Sequence, residues 1–248
     1  MNVEIIAEIG CNHGGSLGVA MSMATQARDA GCTYAKFQHY DPAEIRFAEG
    51  TGPGSLYTEK LYTTIERTRL SLDDLRALKR HCDIIGLEFL CTPFLNPEKV
   101  RELDPLVKRW KIRERDSRNI PLIRAALDTG KEVLISSTVA RPLDPWLLYH
   151  PRVQWLFCIP RYPAALEDLS LDALQTFHGY SNHIPSITAP LASTVVAKVA
   201  GFVDRWILEV HVKTSHAQVP KAVDSAVSLS FTQVERLRKM VDEVARCG

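Results

Sequence analysis

Short apolar runs rich in β-branched and aromatic residues recur along the chain, each followed by a stretch whose apolar positions repeat at helical spacing. Runs over 3–9, 34–40, 87–93, 109–113, 133–137, 153–159, 179–183 and 206–212 predict eight strands. Helices are predicted over 16–30, 71–85, 96–103, 120–129, 171–177, 189–200 and 232–245, with a helical turn over 144–149. Local chemistry supports the boundaries. Gly31 and Gly201 stand where helices end, Ser71 stands as an N-cap ahead of Asp73 and Asp74, and Pro97 takes a first-turn position. The polar stretch 41–69, with Gly50, Gly52, Pro53 and Gly54 at its middle, reads as a long loop with room for a short helix.

Eight β-then-α units in 248 residues match the size and period of a single (β/α)8 TIM barrel of the α/β class, with parallel strands joined by right-handed crossovers. The competing architecture is a doubly wound open sheet. The first strand–helix junction, Gly10-Cys11-Asn12-His13-Gly14-Gly15, lacks the dinucleotide-binding glycine pattern, and no phosphate-binding P-loop occurs. No linker or longer repeat interrupts the period, so residues 1–248 are expected to form one barrel domain.

Composition narrows the function. The 30 Lys and Arg against 29 Asp and Glu leave a formal charge of +1, which argues against nucleic acid as a partner. No apolar run is long enough to span a membrane, and acidic Glu4 and Glu8 stand where a signal peptide wants basic residues. A cytoplasmic protein is expected. The six cysteines (Cys11, Cys32, Cys82, Cys91, Cys158 and Cys247) show no C-x-x-C spacing, which disfavours structural zinc and disulfides alike.

In a barrel, chemistry gathers where strands end. Polar residues are frequent at those positions. Glu8 closes the first strand and leads to Asn12 and His13; Lys36 and Gln38 share one face of the second. Thr92, Lys111 with Arg113 and Arg115, Ser136, Arg161 with Tyr162, Ser181 with His183, and Glu209 with His211 follow on later strands or just beyond them. Lys36, Lys111, Thr92, Ser136 and Ser181 would ring the mouth with cations and hydroxyls suited to a phosphate or carboxylate. The plainer alternative for each lysine is a solvated strand end, although a lysine among apolar residues is costly without an anionic partner. His183 and His211, on neighbouring strands, could hold a divalent metal, with Glu209 as a ligand or an outer partner. The alternative is two unrelated core or surface histidines.

Several strings, in order, resemble the sialic acid synthase (N-acetylneuraminate synthase) family: residues 6–15 (Ile-Ala-Glu-Ile-Gly-Cys-Asn-His-Gly-Gly), Ala35-Lys36-Phe37-Gln38, Leu90-Cys91-Thr92-Pro93-Phe94, Trp110-Lys111-Ile112 with Asp116, Asn119-Ile120-Pro121-Leu122-Ile123, Gly179-Tyr180-Ser181-Asn182-His183 and Leu208-Glu209-Val210-His211. The resemblance covers about residues 3 to 230. It implies a (β/α)8 barrel that condenses phosphoenolpyruvate (PEP) with an amino-sugar aldehyde, giving a 2-keto sugar acid and phosphate with the help of Mn²⁺ or Mg²⁺. C3 of PEP would attack the aldehyde while the metal polarises its oxygen; water would then add at C2 and phosphate leave. By the same resemblance, His183 and His211 match metal ligands, and Lys36, Thr92, Lys111, Ser136, Tyr162 and Ser181 match positions that hold PEP. Asp116 matches a carboxylate that moves a proton or places the water, and Glu8 and Glu209 match acids of the active centre.

The chain departs from the family at informative places. The fourth strand runs on as Lys111-Ile112-Arg113-Glu114-Arg115-Asp116 where the family has Lys-Ile-x-Ser-Gly-Asp/Glu, so a phosphate-binding Ser becomes Glu114 and a Gly becomes Arg115. Pro160 and Arg161 replace the polar pair after the sixth strand, Asn182 replaces an Asp, and Asp224-Ser225 stands where the family has Asp-His. By the resemblance a C-terminal antifreeze-like domain would follow the barrel, and none is expected within these 248 residues. The acceptor site is therefore expected to be open, built differently or supplied by another chain. Arg113, Arg115 and Arg161 would offer an anion a new geometry. The expectation is a metal-dependent PEP–aldehyde synthase on small-molecule substrates, with a homodimer possible. Its rivals are a metal-dependent aldolase or lyase on another oxyacid, motivated by Glu114 and Pro160, and a non-catalytic barrel serving as a partner subunit.

Overall fold

The computed structural model describes residues 1–49, 59–138, 145–202, 204–214 and 223–247. Eight parallel strands are β1 (Asn2–Glu8), β2 (Tyr34–His39), β3 (Glu88–Pro93), β4 (Arg109–Ile112), β5 (Glu132–Ser137), β6 (Val153–Cys158), β7 (Gly179–Asn182) and β8 (Arg205–Lys213). They are hydrogen-bonded in the order β3-β2-β1-β8-β7-β6-β5-β4, and the two end strands pack side by side. This is the predicted (β/α)8 barrel. The helices around it include α1 (Leu17–Asp29), α2 (Pro42–Glu49), α3 (Glu59–Thr68), α4 (Leu72–Ile85), α5 (Glu98–Leu103), α6 (Ile120–Asp128), α7 (Pro145–Leu148), α8 (Leu171–Leu174), α9 (Thr188–Val199) and α10 (Phe231–Arg246). No helix among the described residues is long and apolar enough to cross a membrane.

Sequence explains most boundaries. Ser71 caps α4 in a reciprocal box with Asp74, and Gly86 ends it in the left-handed conformation at φ +72°. Two features depart from the prediction. The stretch after β2 is largely helical where described, forming α2 and α3. A two-residue strand, β9 (Leu229–Ser230), pairs with β8 and leads into α10. Gly50, Gly52, Pro53, Gly54 and Asp144, read earlier as loop and turn residues, lie outside the described residues.

Alternation along each strand divides the side chains into two cores. The outward set, including Trp110, Trp155, Trp206, Phe37 and Phe89, packs under the helices in one large cluster. Each large side chain fully buried there contributes roughly 1.5–3 kcal/mol. The inward set is layered. Ile6, Tyr34, Leu90, Leu134, Leu156 and Ile207 form an apolar plug across the barrel. Two residues before and after these positions the inward side chains turn polar, as in Glu4-Ile6-Glu8, Glu88-Leu90-Thr92, Glu132-Leu134-Ser136 and Arg205-Ile207-Glu209.

Candidate active site

Strand register builds the site at the C-terminal end of the barrel. Glu8 of β1 lies level with Lys36 of β2 on one side and His211 of β8 on the other. Ser181 of β7 is level with Glu209 of β8 and with Cys158 of β6. These side chains line a cavity of about 300 Å³. Of the residues expected from sequence, Glu8, Lys36, Thr92, Lys111, Arg115, Ser136, Tyr162, Ser181, His183, Glu209 and His211 all line it.

The floor is a buried charge network. Lys36 Nζ reaches Glu8 Oε2 at 2.7 Å and Glu209 Oε1 at 3.1 Å, and donates to Thr92 Oγ1 at 3.2 Å. Lys111 Nζ lies 3.3 Å from Glu209 Oε2 and donates to Ser136 Oγ (2.7 Å) and the Ile112 carbonyl (2.9 Å). Ser181 Oγ donates to Glu209 Oε2 at 2.6 Å, and Gln38 Nε2 to Glu8 Oε1 at 2.5 Å. Both lysines are thus buried with anionic partners, not solvated strand ends. Burial works against the charge of Lys36, but Glu209 and Glu8 more than offset it and hold the ammonium above its usual range. At Lys111 burial prevails over Glu209, and its pKa is lowered. Burial likewise raises Glu8 against the pull of Lys36, whereas at Glu209 the same burial is outweighed by Lys111 and Lys36, which hold the carboxylate well below its usual range.

Beside the floor stands a donor cluster. Glu8, His211 and Asp224 each present a ligand atom, all within 4.8 Å of one another. His211 Nδ1 is buried without a hydrogen bond, 3.9 Å from Asp224 Oδ1. Glu8 Oε2 and Glu209 Oε1 meet Lys36 as ion-pair contacts without hydrogen-bond geometry. Unsatisfied buried acceptors are costly, and one imidazole with two carboxylates suits a divalent cation. Sequence placed His183 in this role with His211. Their rings are 5.3 Å apart, and both ring nitrogens of His183 are engaged. The Ile159 carbonyl, an acceptor, faces Nδ1 at 2.7 Å, so the proton sits on Nδ1 and Nε2 offers its lone pair to the Tyr162 hydroxyl at 2.8 Å. Burial and neighbouring His211 lower its pKa to about 3, so the ring is neutral near pH 7.

Asp224 was missed as a site residue. It lies in a short turn after β8, where strand alternation carries no information. Its backing is legible only in the fold. Cys11 N donates to Asp224 Oδ2 at 3.2 Å, and Gly10, at φ +52°, lets the chain pass. A β-carbon on Gly10 would fall 2.2 Å from Asp224 Oδ2. Asn12 ties the same segment down, donating to the Val212 carbonyl (2.7 Å) and Ser228 Oγ (2.9 Å).

Two expected residues are placed elsewhere. Arg161 has a side chain 68% exposed, paired with Asp168 at 2.8 Å, and it does not line the cavity. Its loop supplies a carboxylate seven residues on, and solvation favours that surface pair. Asp116 is buried but not a lining residue: it accepts from Arg113 Nε at 2.6 Å and from Leu95 N at 3.4 Å. Arg113, expected from sequence to offer an anion a new geometry, and Glu114, seen there as a departure from the family, both line the cavity, together with Phe94, Tyr40 and Ile65 from the segments flanking β2 and β3.

Comparison with known proteins agrees with the fold. The model of the NeuB family matches residues 23–247. An uncharacterized protein of Methanocaldococcus jannaschii is 30% identical over 77% of this chain and 58% of its own length. The N,N'-diacetyllegionaminic acid synthase of Campylobacter jejuni is 27% identical over 77% of the chain and 64% of its own. The chain therefore spans about three fifths of the length of these relatives. The crystal structure of N-acetylneuraminic acid (sialic acid) synthetase from Leptospira borgpetersenii, in complex with citrate, superposes with a TM-score of 0.83 at 26% identity, covering 99% of this chain and 85% of that one.

Proposed function

Because the chain belongs to the NeuB family, we propose that it is a synthase joining PEP to a sugar-like aldehyde, releasing phosphate and a 2-keto sugar acid. The observation that carries the reading is the floor of the cavity, where two buried lysines share carboxylates beside a three-residue donor cluster. Bound to Glu8, His211 and Asp224, with His183 adjacent, a divalent cation such as Mn²⁺ or Mg²⁺ would supply Lewis-acid polarisation of a carbonyl oxygen.

The chain's own residues do the rest. Lys36 and Lys111, with the hydroxyls of Thr92, Ser136 and Ser181, bind and orient the anionic end of PEP. The lining residues Lys36, Lys111, Arg113 and Arg115 are matched in number by Glu8, Glu114, Glu209 and Asp224, so a dication leaves the cavity positive enough for a trianion. In the overall change C3 of PEP forms a bond to the aldehyde carbon, the oxygen of water adds to C2 and becomes the keto oxygen as the C2–O bond to the phosphoryl group breaks, and the two protons of water end on the former aldehyde oxygen and on the departing phosphate. The carboxyl of Glu8, whose hold on a proton burial strengthens, lies within the cavity to take up a proton of the attacking water, while Glu209 stays ionised and fixes Lys36 and Lys111.

Calorimetric titration of the Mn²⁺-loaded protein with PEP tests the reading. Micromolar binding, weakened at least about 10-fold in Lys111→Ala, is expected, followed by phosphate release when aldehyde sugars are screened. Metal uptake with no PEP binding would overturn it. That result would favour the second reading, an aldolase or lyase on another oxyacid, which the presence of Glu114 in the cavity lining supports.

A further inference from the structure

The wall of the cavity above β4 is built differently from its floor. Where the floor uses lysines, this wall carries Arg113 and Arg115 on either side of Glu114. Arg113 is held on two sides. Its guanidinium carbon lies 4.0 Å over the Phe94 ring, and Nε and Nη2 bond the two oxygens of Asp116 at 2.6 and 3.4 Å. The side chain is only 14% exposed. Asp116 is fixed in turn by Leu95 N, and the Leu95 carbonyl accepts from Asn119 Nδ2 at 2.7 Å. Leu95 adopts φ +58°, and it is the only non-glycine residue with positive φ among those described. A leucine in that conformation costs of order 1 kcal/mol, and such strain persists where the surroundings impose it. Here it directs the backbone N–H of Leu95 to Asp116 and its carbonyl to Asn119.

Resting on the synthase reading above, we infer that Arg113, aided by Arg115, binds a phosphoryl or carboxylate group of the substrate at the cavity wall, and that Asp116 is a positioning residue for Arg113, not a proton carrier. A guanidinium already fixed against a ring and a carboxylate loses little freedom when it meets an oxyanion, and its planar fork matches that geometry where an ammonium does not. The oxyanion belongs either to PEP or to a phosphorylated acceptor.

The test is calorimetry on the Mn²⁺-loaded protein with PEP, and with hexosamine 6-phosphates beside their dephosphorylated parents. Arg113→Gln should weaken one phosphorylated ligand at least about 10-fold, and Arg113→Lys should recover only part of that. Loss confined to PEP assigns the wall to the donor; loss confined to a sugar phosphate assigns it to the acceptor. Asp116→Asn should weaken the same ligand in the wild-type background and have little further effect on Arg113→Gln, a pattern that general loss of structure would not give. Should Arg113→Gln and Arg115→Gln bind every probe as the wild type does while Lys111→Ala loses PEP, the wall inference falls and the synthase reading stands. Should PEP fail to bind while a sugar phosphate depends on Arg113, the reverse holds. A wild type that binds none of the probes overturns both.

Discussion

The two ends of the barrel interior use charge in opposite ways. At the N-terminal end Arg109 bridges Glu88 and Glu132, each at 2.8 Å, while Arg205 bridges Glu4 at 2.7 Å and Glu132 at 2.6 Å. Tyr34 adds a hydroxyl to Glu4 at 2.6 Å. Every one of these carboxylates is engaged, and water reaches the ring, whose side chains are 15–25% exposed. At the floor of the C-terminal cavity the carboxylates are almost fully buried, the cations are lysines, and atoms of Glu8, Glu209 and His211 lack hydrogen bonds. Arginine forks close a network upon itself; lysine, a mobile point charge, leaves acceptors available. The first end is organised for stability and the second for a ligand.

The contrast can be broken from either side. The largest effect is expected for His211→Ala, which should weaken Mn²⁺ binding by more than about 100-fold and abolish turnover while the melting temperature of the metal-free protein changes little. Retained metal stoichiometry by atomic absorption would remove His211 from the donor set. Next, Gly10→Ala should push Asp224 aside and reduce Mn²⁺ affinity about 10-fold or more, because the added carbon meets a carboxylate oxygen at 2.2 Å. At the opposite end, Arg109→Leu should cost about 2 kcal/mol, read as a Tm lower by about 5 °C, with PEP affinity unchanged. A loss of PEP binding there would show that the ends are coupled. The smallest effect concerns pH. His13, in the loop after β1, accepts a hydrogen bond from Gly15 N at 3.0 Å through Nδ1, and burial lowers its pKa from the ordinary 6.5 to about 4. The unfolded chain therefore takes up the proton first, so this stability is complete above about pH 6.5 and is lost as pH falls toward about 4. The cost is about 1 kcal/mol at pH 5.5. Denaturant titrations should show that slope, and His13→Gln should flatten it.

The eight strands and most of the cavity were legible because both follow from alternation. Lys36, Thr92, Lys111, Ser136, Ser181 and Glu209 sit two residues beyond inward apolar or polar positions, and the register does the rest. What alternation does not govern was harder to read. Arg113 and Arg161 both follow strands and carry the same charge, yet Phe94 and Asp116 hold one at the cavity, and Asp168 draws the other to the surface. Asp224 depends on a turn and on Gly10, more than two hundred residues away in sequence. Helices α2 and α3 are short and separated in sequence by a run of glycine and proline, and Tyr40, Ile45, Ile65 and Phe94 join in a small satellite core beside the cavity. The N-terminal ring escaped notice because its members open their strands or, like Glu4, stand near the start, where polar residues look like ordinary strand ends.

Between the two ends lies the plug of Ile6, Tyr34, Leu90, Leu134, Leu156 and Ile207. Glu4 and Glu8 are four residues apart on β1, so about 13 Å of strand separates the charged layers. The plug acts as an insulating partition within a single chain. Salt-bridge exchanges below it and substrate-binding exchanges above it need not be compensated across it. A barrel of this build can change side chains at one end, such as the Arg-Glu-Arg run after β4, while the other keeps the scaffold standing. Each half would then explore sequence on its own schedule.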